Sequence, residues 1–95
     1  MSAYAILDVE IHDMPRYQQY MLQVKPVIEA AGGRYLVRGG AHKVIEGDWS
    51  PRRLVILEFP SMAAMDGFYT SPEYKSMKAL REECSSGRLV AVEGI

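Results

Sequence analysis

A chain of 95 residues with 11 basic and 12 acidic side chains has room for one domain, which buries roughly 60 to 65% of the surface that its unfolded form exposes. Its net charge is −1 and it has no basic run to neutralise a phosphate backbone, so nucleic acid is not an expected partner. Cys84 has no second thiol to pair with, which excludes an internal disulfide and a thiolate zinc cluster and makes a reducing cytoplasm the expected location.

Ala3 to Ile11 alternates, with Ala3, Ala5, Leu7, Val9 and Ile11 on one face and Tyr4, Ile6, Asp8 and Glu10 on the other, the pattern of a strand. Acids stand here where an export signal needs a basic region and an apolar run, and no window approaches the ~18 apolar residues of a membrane span, so no membrane partner is expected. Asp13 is placed to cap a helix from about Met14 to Ala31, in which Tyr17, Tyr20, Met21, Val24, Ile28 and Ala31 follow helical spacing up to Gly32-Gly33. Pro26 inside it removes one backbone hydrogen bond and predicts a kink, or a break into two short helices.

Arg34 to Arg38 (RYLVR) reads as a second strand closed by Gly39-Gly40, and His42 to Glu46 as a short extension or an extra strand before a turn at Gly47-Asp48. The most apolar strand follows, Arg53 to Phe59 (RLVILEF), interrupted by one acid, Glu58. Pro60 ends it, and Ser61 caps a helix that reaches Tyr69; Ser71 and Pro72 then start another helical segment containing Tyr74, Met77 and Leu80. Ser85-Ser86-Gly87 reads as the end of that segment, and Arg88 to Glu93 as the last strand.

This order predicts an α+β, ferredoxin-like βαββαβ fold occupying residues 1–95 as one domain, a four-stranded antiparallel sheet with its helices on one face. Alternation assigns Ala5, Leu7, Val9, Tyr35, Val37, Val55, Leu57 and Phe59 to the helix-covered face. Tyr4, Ile6, Leu36, Leu54 and Ile56 fall on the other, together with Asp8, Arg34, Arg38 and Glu58. So apolar a second face exceeds what a monomer usually exposes, and the expected cover is the same face of another copy through a two-fold axis. Charges trapped there persist only if paired or hydrated, which predicts a small polar-lined pocket.

Asp8, Arg38 and Glu58 are expected to cluster on three neighbouring strands. Arg38 would hold an anionic or carbonyl oxygen while a carboxylate acts as general base if desolvation raises its pKa; a structural ion-pair network is the other reading. His42 suits proton transfer near neutral pH if its segment reaches the pocket mouth, and is otherwise a solvated turn histidine. Expected ligand contacts are Tyr4 and Ile6 on the same face, Trp49 as a wall over the pocket, Arg53 as an anion contact and Tyr69 with its hydroxyl at a rim. Neither His12 nor His42 has the partners of a metal site, and no phosphate loop or nucleophile elbow occurs, so no metal or cofactor is expected.

The ordered set GGRYLVRGG (Gly32 to Gly40), EGDW (Glu46 to Trp49), PRRLVILEFPS (Pro51 to Ser61), FYTSPEY (Phe68 to Tyr74) and GRLVAVEG (Gly87 to Gly94) resembles domain-of-unknown-function family 1330 across nearly the whole chain. The resemblance implies a member of the dimeric α/β-barrel superfamily, which includes cofactor-independent monooxygenases, muconolactone-isomerase-like enzymes and haem-dependent relatives; it implies no particular reaction. Two functional readings follow. One is a cofactor-independent, monooxygenase- or isomerase-like enzyme acting on a small organic molecule in a pocket between sheet and helices or across the dimer interface. The other is a non-catalytic small-ligand-binding or structural homodimer.

Overall fold

The computed structural model describes residues 1–95 and contains β1 (Ala3–Ile11), α1 (Met14–Ala30), β2 (Arg34–Arg38), β3 (Leu54–Phe59), α2 (Met62–Tyr69), α3 (Pro72–Cys84) and β4 (Ser85–Glu93). The strands form one antiparallel sheet in the order β2-β3-β1-β4. Every helix starts where a side chain takes up a free backbone N–H: Asp13 accepts from Arg16, Ser61 from Ala64 and Ser71 from Tyr74. The helices lie on one face, where Ala3, Ala5, Leu7 and Val9 of β1 and Val55, Leu57 and Phe59 of β3 meet Tyr17, Tyr20, Val24 and Ile28 of α1, Met65 and Phe68 of α2, and Tyr74 and Cys84 of α3.

Helix α1 passes through Pro26 without a break. Pro26 and Leu22, whose carbonyl loses its partner, both sit on the exposed side of the helix, where water can take the freed acceptor. Residues His42 to Glu46 form no strand; they are exposed, in the loop between β2 and β3. Ser85 to Gly87 do not end a helix in a turn but open β4, because β1 is long enough to pair with them: Ile11 stands opposite Ser85 and Val9 opposite Gly87. The chain therefore passes from α3 into β4 at Ser85, whose backbone is already extended.

A bulge in β2 changes the assignment of faces. Tyr35 pairs with Leu57, but Val37 pairs with Ile56 and Arg38 with Val55, so two steps along β2 match one along β3 and Leu36 is the extra residue. Directly opposed residues share a face, and each position after the bulge changes side. Val37 accordingly lies on the uncovered face with Ile56, and Arg38 lies on the helix-covered face with Val55. Simple alternation had them the other way round.

Candidate functional site

Three side chains expected to converge are kept apart by this register. Glu58 and Asp8 do share the uncovered face, but Glu58 stands opposite Tyr4 and Asp8 opposite Leu54, four residues or about 13 Å apart along β1. Arg38 is on the other side of the sheet. The partner of Glu58 is instead Arg34, whose Nε donates to Oε1 at 2.7 Å, while the Tyr4 hydroxyl donates to Oε2 at 3.2 Å. Arg34 beside it holds the Glu58 carboxyl below its ordinary range. Asp8 accepts from the Trp49 indole N–H and from the Arg52 backbone N–H, both at 2.9 Å, and the indole hydrogen bond is the main cause of its lowered pKa. Both carboxylates are thus ionised and stabilised as anions, the opposite of the upward shift that a general base near neutral pH requires.

His42 lies in the exposed loop with Nε2 at 2.9 Å from the carbonyl oxygen of Pro51; since a carbonyl only accepts, the ring donates from Nε2. Trp49 is tied to Asp8 on the uncovered face and does not wall the cavity under the helices. Ile6 also faces outward, opposite Ile56 and Val90. No group of three or more His, Cys, Asp or Glu side chains is placed to hold a metal ion, and burial raises the pKa of the Cys84 thiol.

The enclosed site lies on the other face. A small cavity between sheet and helices is walled by Ala5, Leu7, Val55 and Leu57 from the sheet, Leu89 from β4, Ile28 and Met21 from α1, and a ring of aromatic side chains. Five of these are tyrosines, Tyr17, Tyr20, Tyr35, Tyr69 and Tyr74, and three arginines, Arg38, Arg53 and Arg81, complete the lining. No carboxylate and no imidazole lines it. The part of the cavity open to the centre of a water molecule is about 30 Å3, room for a water or two, so an organic ligand enters only as side chains give way.

Each arginine is positioned by something local. The bulge puts Arg38 on the helix-covered face, where it stays exposed at the rim of the cavity with its guanidinium carbon 5.0 Å from the centre of the Tyr35 ring. Arg53 stands just before β3, with its guanidinium carbon 5.6 Å from the Tyr17 ring centre and Nη2 at 3.8 Å from the Met21 sulfur. Gly39, at φ +74°, makes room for it, since a Cβ there would lie 2.6 Å from Arg53 Nε. Arg81 is only 8% exposed and donates through Nη2 to the Tyr74 hydroxyl at 3.2 Å. Arg53 Nη1 and Arg81 Nε are buried and have no acceptor at all. Arginine remains charged in such places, so the cavity carries uncompensated positive charge. Burial meanwhile raises the phenol pKa values of Tyr17, Tyr20, Tyr35 and Tyr69, leaving these groups as neutral hydrogen-bond donors at physiological pH.

Arg53 and Tyr69, expected as ligand contacts, do line this cavity, whereas Tyr4, Ile6 and Trp49 lie on the outer face. Arg81 was not foreseen. The signal for it was available, because Arg81 follows Tyr74 by seven residues and Met77 by four, which places a charged residue in the apolar stripe of α3.

Sheet order, helix placement and the enclosed cavity define an α+β protein of ferredoxin-like fold. The chain belongs to the family described as Domain of unknown function (DUF1330), which it matches over residues 2–95. No curated protein matches it in sequence. Among solved structures it is similar to a protein of unknown function from Rhodopseudomonas palustris, with 20% identity and a TM-score of 0.79 over 99% of this chain and 82% of that one. A dimeric ferredoxin-like protein of unknown function from Jannaschia sp. aligns at 15% identity and a TM-score of 0.73, covering 99% of this chain and 100% of the other. SnoaB, a cofactor-independent oxygenase from Streptomyces nogalater, aligns at 8% identity and a TM-score of 0.66, covering 99% and 93%. At these identities the likeness is one of fold.

Proposed function

We propose that this protein binds a small organic anion in the cavity between sheet and helices. The observation that carries the reading is the pair of buried guanidinium nitrogens without acceptors, Arg53 Nη1 and Arg81 Nε, on two side chains lining a cavity with no acid in its wall. A buried donor left unpaired costs roughly 1–3 kcal/mol, more when charged, and an anionic ligand recovers that cost. The apolar and aromatic remainder of the wall suits a flat hydrocarbon body.

As an enzyme, such a site stabilises an enolate or phenolate of its ligand by charge and phenol hydrogen bonds; its walls offer no carboxylate or imidazole to take a proton. An oxygenase without a cofactor must draw electrons from the substrate itself, and an electron-rich organic anion is the form that supplies them. The likeness in fold to a cofactor-independent oxygenase makes this the first reaction class to test. The small free volume favours the second reading, in which the cavity binds a ligand and performs no reaction. In both readings the working unit is a homodimer, supported by the exposed apolar face of the sheet and by the dimeric neighbour of like fold.

Calorimetric titration with benzoate tests the binding claim. Benzoate should bind, benzyl alcohol should bind at least about tenfold more weakly, and the double variant Arg53→Met with Arg81→Met should reduce benzoate to the level of the alcohol. Equal affinity for acid and alcohol would overturn the anion site. Oxygen uptake in the presence of an acidic phenol, with no added cofactor, separates catalysis from binding alone.

A further inference from the structure

We infer that the ligand carries two acidic groups, one at each end of a flat apolar spacer about the size of a single ring, so that Arg53 takes one and Arg81 the other. This rests on the anion-binding reading above and adds the spacing and number of charges.

The two guanidiniums belong to opposite walls. Arg53 leans toward Gly39, at the end of β2, where its Nε lies 2.6 Å from the place of an added Cβ. Arg81 reaches from α3 to the far side of the sheet, where its Nη1 lies 3.4 Å from the place of a Cβ on Gly87 in β4. The strands β2 and β4 are the two edges of a four-stranded sheet, and Arg53 and Gly87 flank Val9 from either side: Val9 donates to the Arg53 carbonyl and pairs with Gly87. Two to three inter-strand spacings of about 4.8 Å therefore separate the charges, on the order of 10 Å. The two oxygens of one carboxylate are only about 2 Å apart and cannot serve both, given hydrogen bonds of about 2.8 Å.

What lies between is apolar and flat-walled. Leu7 and Val55 line it from the sheet, and Tyr17 lines it beside Arg53, whose guanidinium carbon lies 5.6 Å from the ring centre. Each guanidinium keeps one buried nitrogen free while its other contacts are weak or neutral, a sulfur for Arg53 and a phenol for Arg81. Each end is thus an independent carboxylate receptor, and a para-disubstituted ring with an acid at each end spans a gap of this order.

Calorimetry with benzoate, phthalate and terephthalate on the intact protein distinguishes the possibilities. Terephthalate should bind at least about tenfold more tightly than benzoate, since a charge-assisted hydrogen bond is added, and phthalate, with its acids adjacent, should gain little. Arg81→Met and Arg53→Met should each bring terephthalate to the benzoate level. Since Arg81 is buried, Arg81→Lys serves as a second variant that keeps the charge but shortens its reach, and it should reduce the terephthalate preference while leaving benzoate bound at Arg53. Benzoate and terephthalate of equal affinity would overturn the two-ended ligand while leaving the anion site standing. Tight terephthalate binding indifferent to both arginines would overturn the assignment of the ends. Failure of both acids to bind would remove the anion site itself.

Discussion

Gly39 and Asp8 show how single positions set the two faces of the sheet. Gly39 has φ +74° and lies so close to Arg53 that a methyl group there would fall 2.6 Å from Nε. Gly39→Ala therefore combines left-handed strain with displacement of the guanidinium, and should cost about 1–2 kcal/mol in urea unfolding while weakening benzoate binding several-fold. Gly40→Ala has open space at its Cβ and no positive φ, and is the control expected to change neither. On the outer face, Asp8 receives the indole N–H of Trp49, the only tryptophan in the chain, so fluorescence reads this contact directly. The lowered Asp8 pKa means that the ionised carboxylate favours the folded loop, that its contribution is complete above the unfolded aspartate value, and that it is lost as pH falls through the lowered one. The Trp49 emission change on acidification should accordingly have its midpoint below 3.8, the ordinary aspartate value. In Asp8→Ala the emission should already match the acid form at neutral pH and lose its dependence on pH in this range.

At the scale of elements, the limits of inference from sequence can be located residue by residue. The strand β1 and the α2–α3 break at Ser71-Pro72 were legible because alternation and capping are local, and one side chain decides each. The bulge at Leu36 was not. RYLVR alternates cleanly, and what inserts the extra residue is its pairing with β3, a non-local event that leaves no mark in five residues. That single slip moved Arg38 from the outer face to the cavity, and the β1–β3 register separately set Asp8 and Glu58 four residues apart, so the expected Asp8–Arg38–Glu58 cluster dissolved while the sheet order stayed as read. The pocket between sheet and helices was half visible: Arg53 and Tyr69 fit the pattern of ligand contacts, whereas Arg81 is a charged residue within the apolar stripe of α3, and only the packing of that helix buries its guanidinium. Pro26 makes the complementary point. A helix-breaking residue was readable, but the outcome depended on its facing water. Since the fold merely tolerates it, Pro26→Ala should restore a hydrogen bond to Leu22 and raise stability by roughly 1–2 kcal/mol, the helical preference being partly offset by a freer unfolded chain. Urea titration checks this, and a destabilised variant would mean that the proline fixes the course of α1 in a way that packing requires.

For the whole molecule, the question is what covers the second face of the sheet. Ile6, Leu54, Ile56 and Val37 lie there with Val90 and Val92, which are 60% and 49% exposed. Four strands at ~4.8 Å and about eight residues at ~3.3 Å outline a sheet face of roughly 500 Å2, at the upper end of what a monomer leaves bare and short of the ~800 Å2 per partner of a stable interface. The loop between β2 and β3 is placed to supply the rest, since Val44, Ile45 and Trp49 are exposed at 46%, 81% and 53% and Asp8 anchors the loop to this same face. The charges there are already matched, Glu58 with Arg34 and Asp8 with Trp49 and the neighbouring Arg88, which lowers the cost of burying them between two copies. A face-to-face homodimer then requires both parts, sheet and loop. Light scattering during gel filtration should show a dimer for the unaltered chain, a monomer for Ile56→Glu, whose added charge meets its own symmetry mate near the centre, and a weakened, concentration-dependent dimer for Ile45→Ser. Because the cavity opens on the other side of the sheet, a folded Ile56→Glu monomer should still bind benzoate. Loss of benzoate binding on dissociation would mean instead that the partner copy shapes the cavity through β4, where Leu89 reaches its wall.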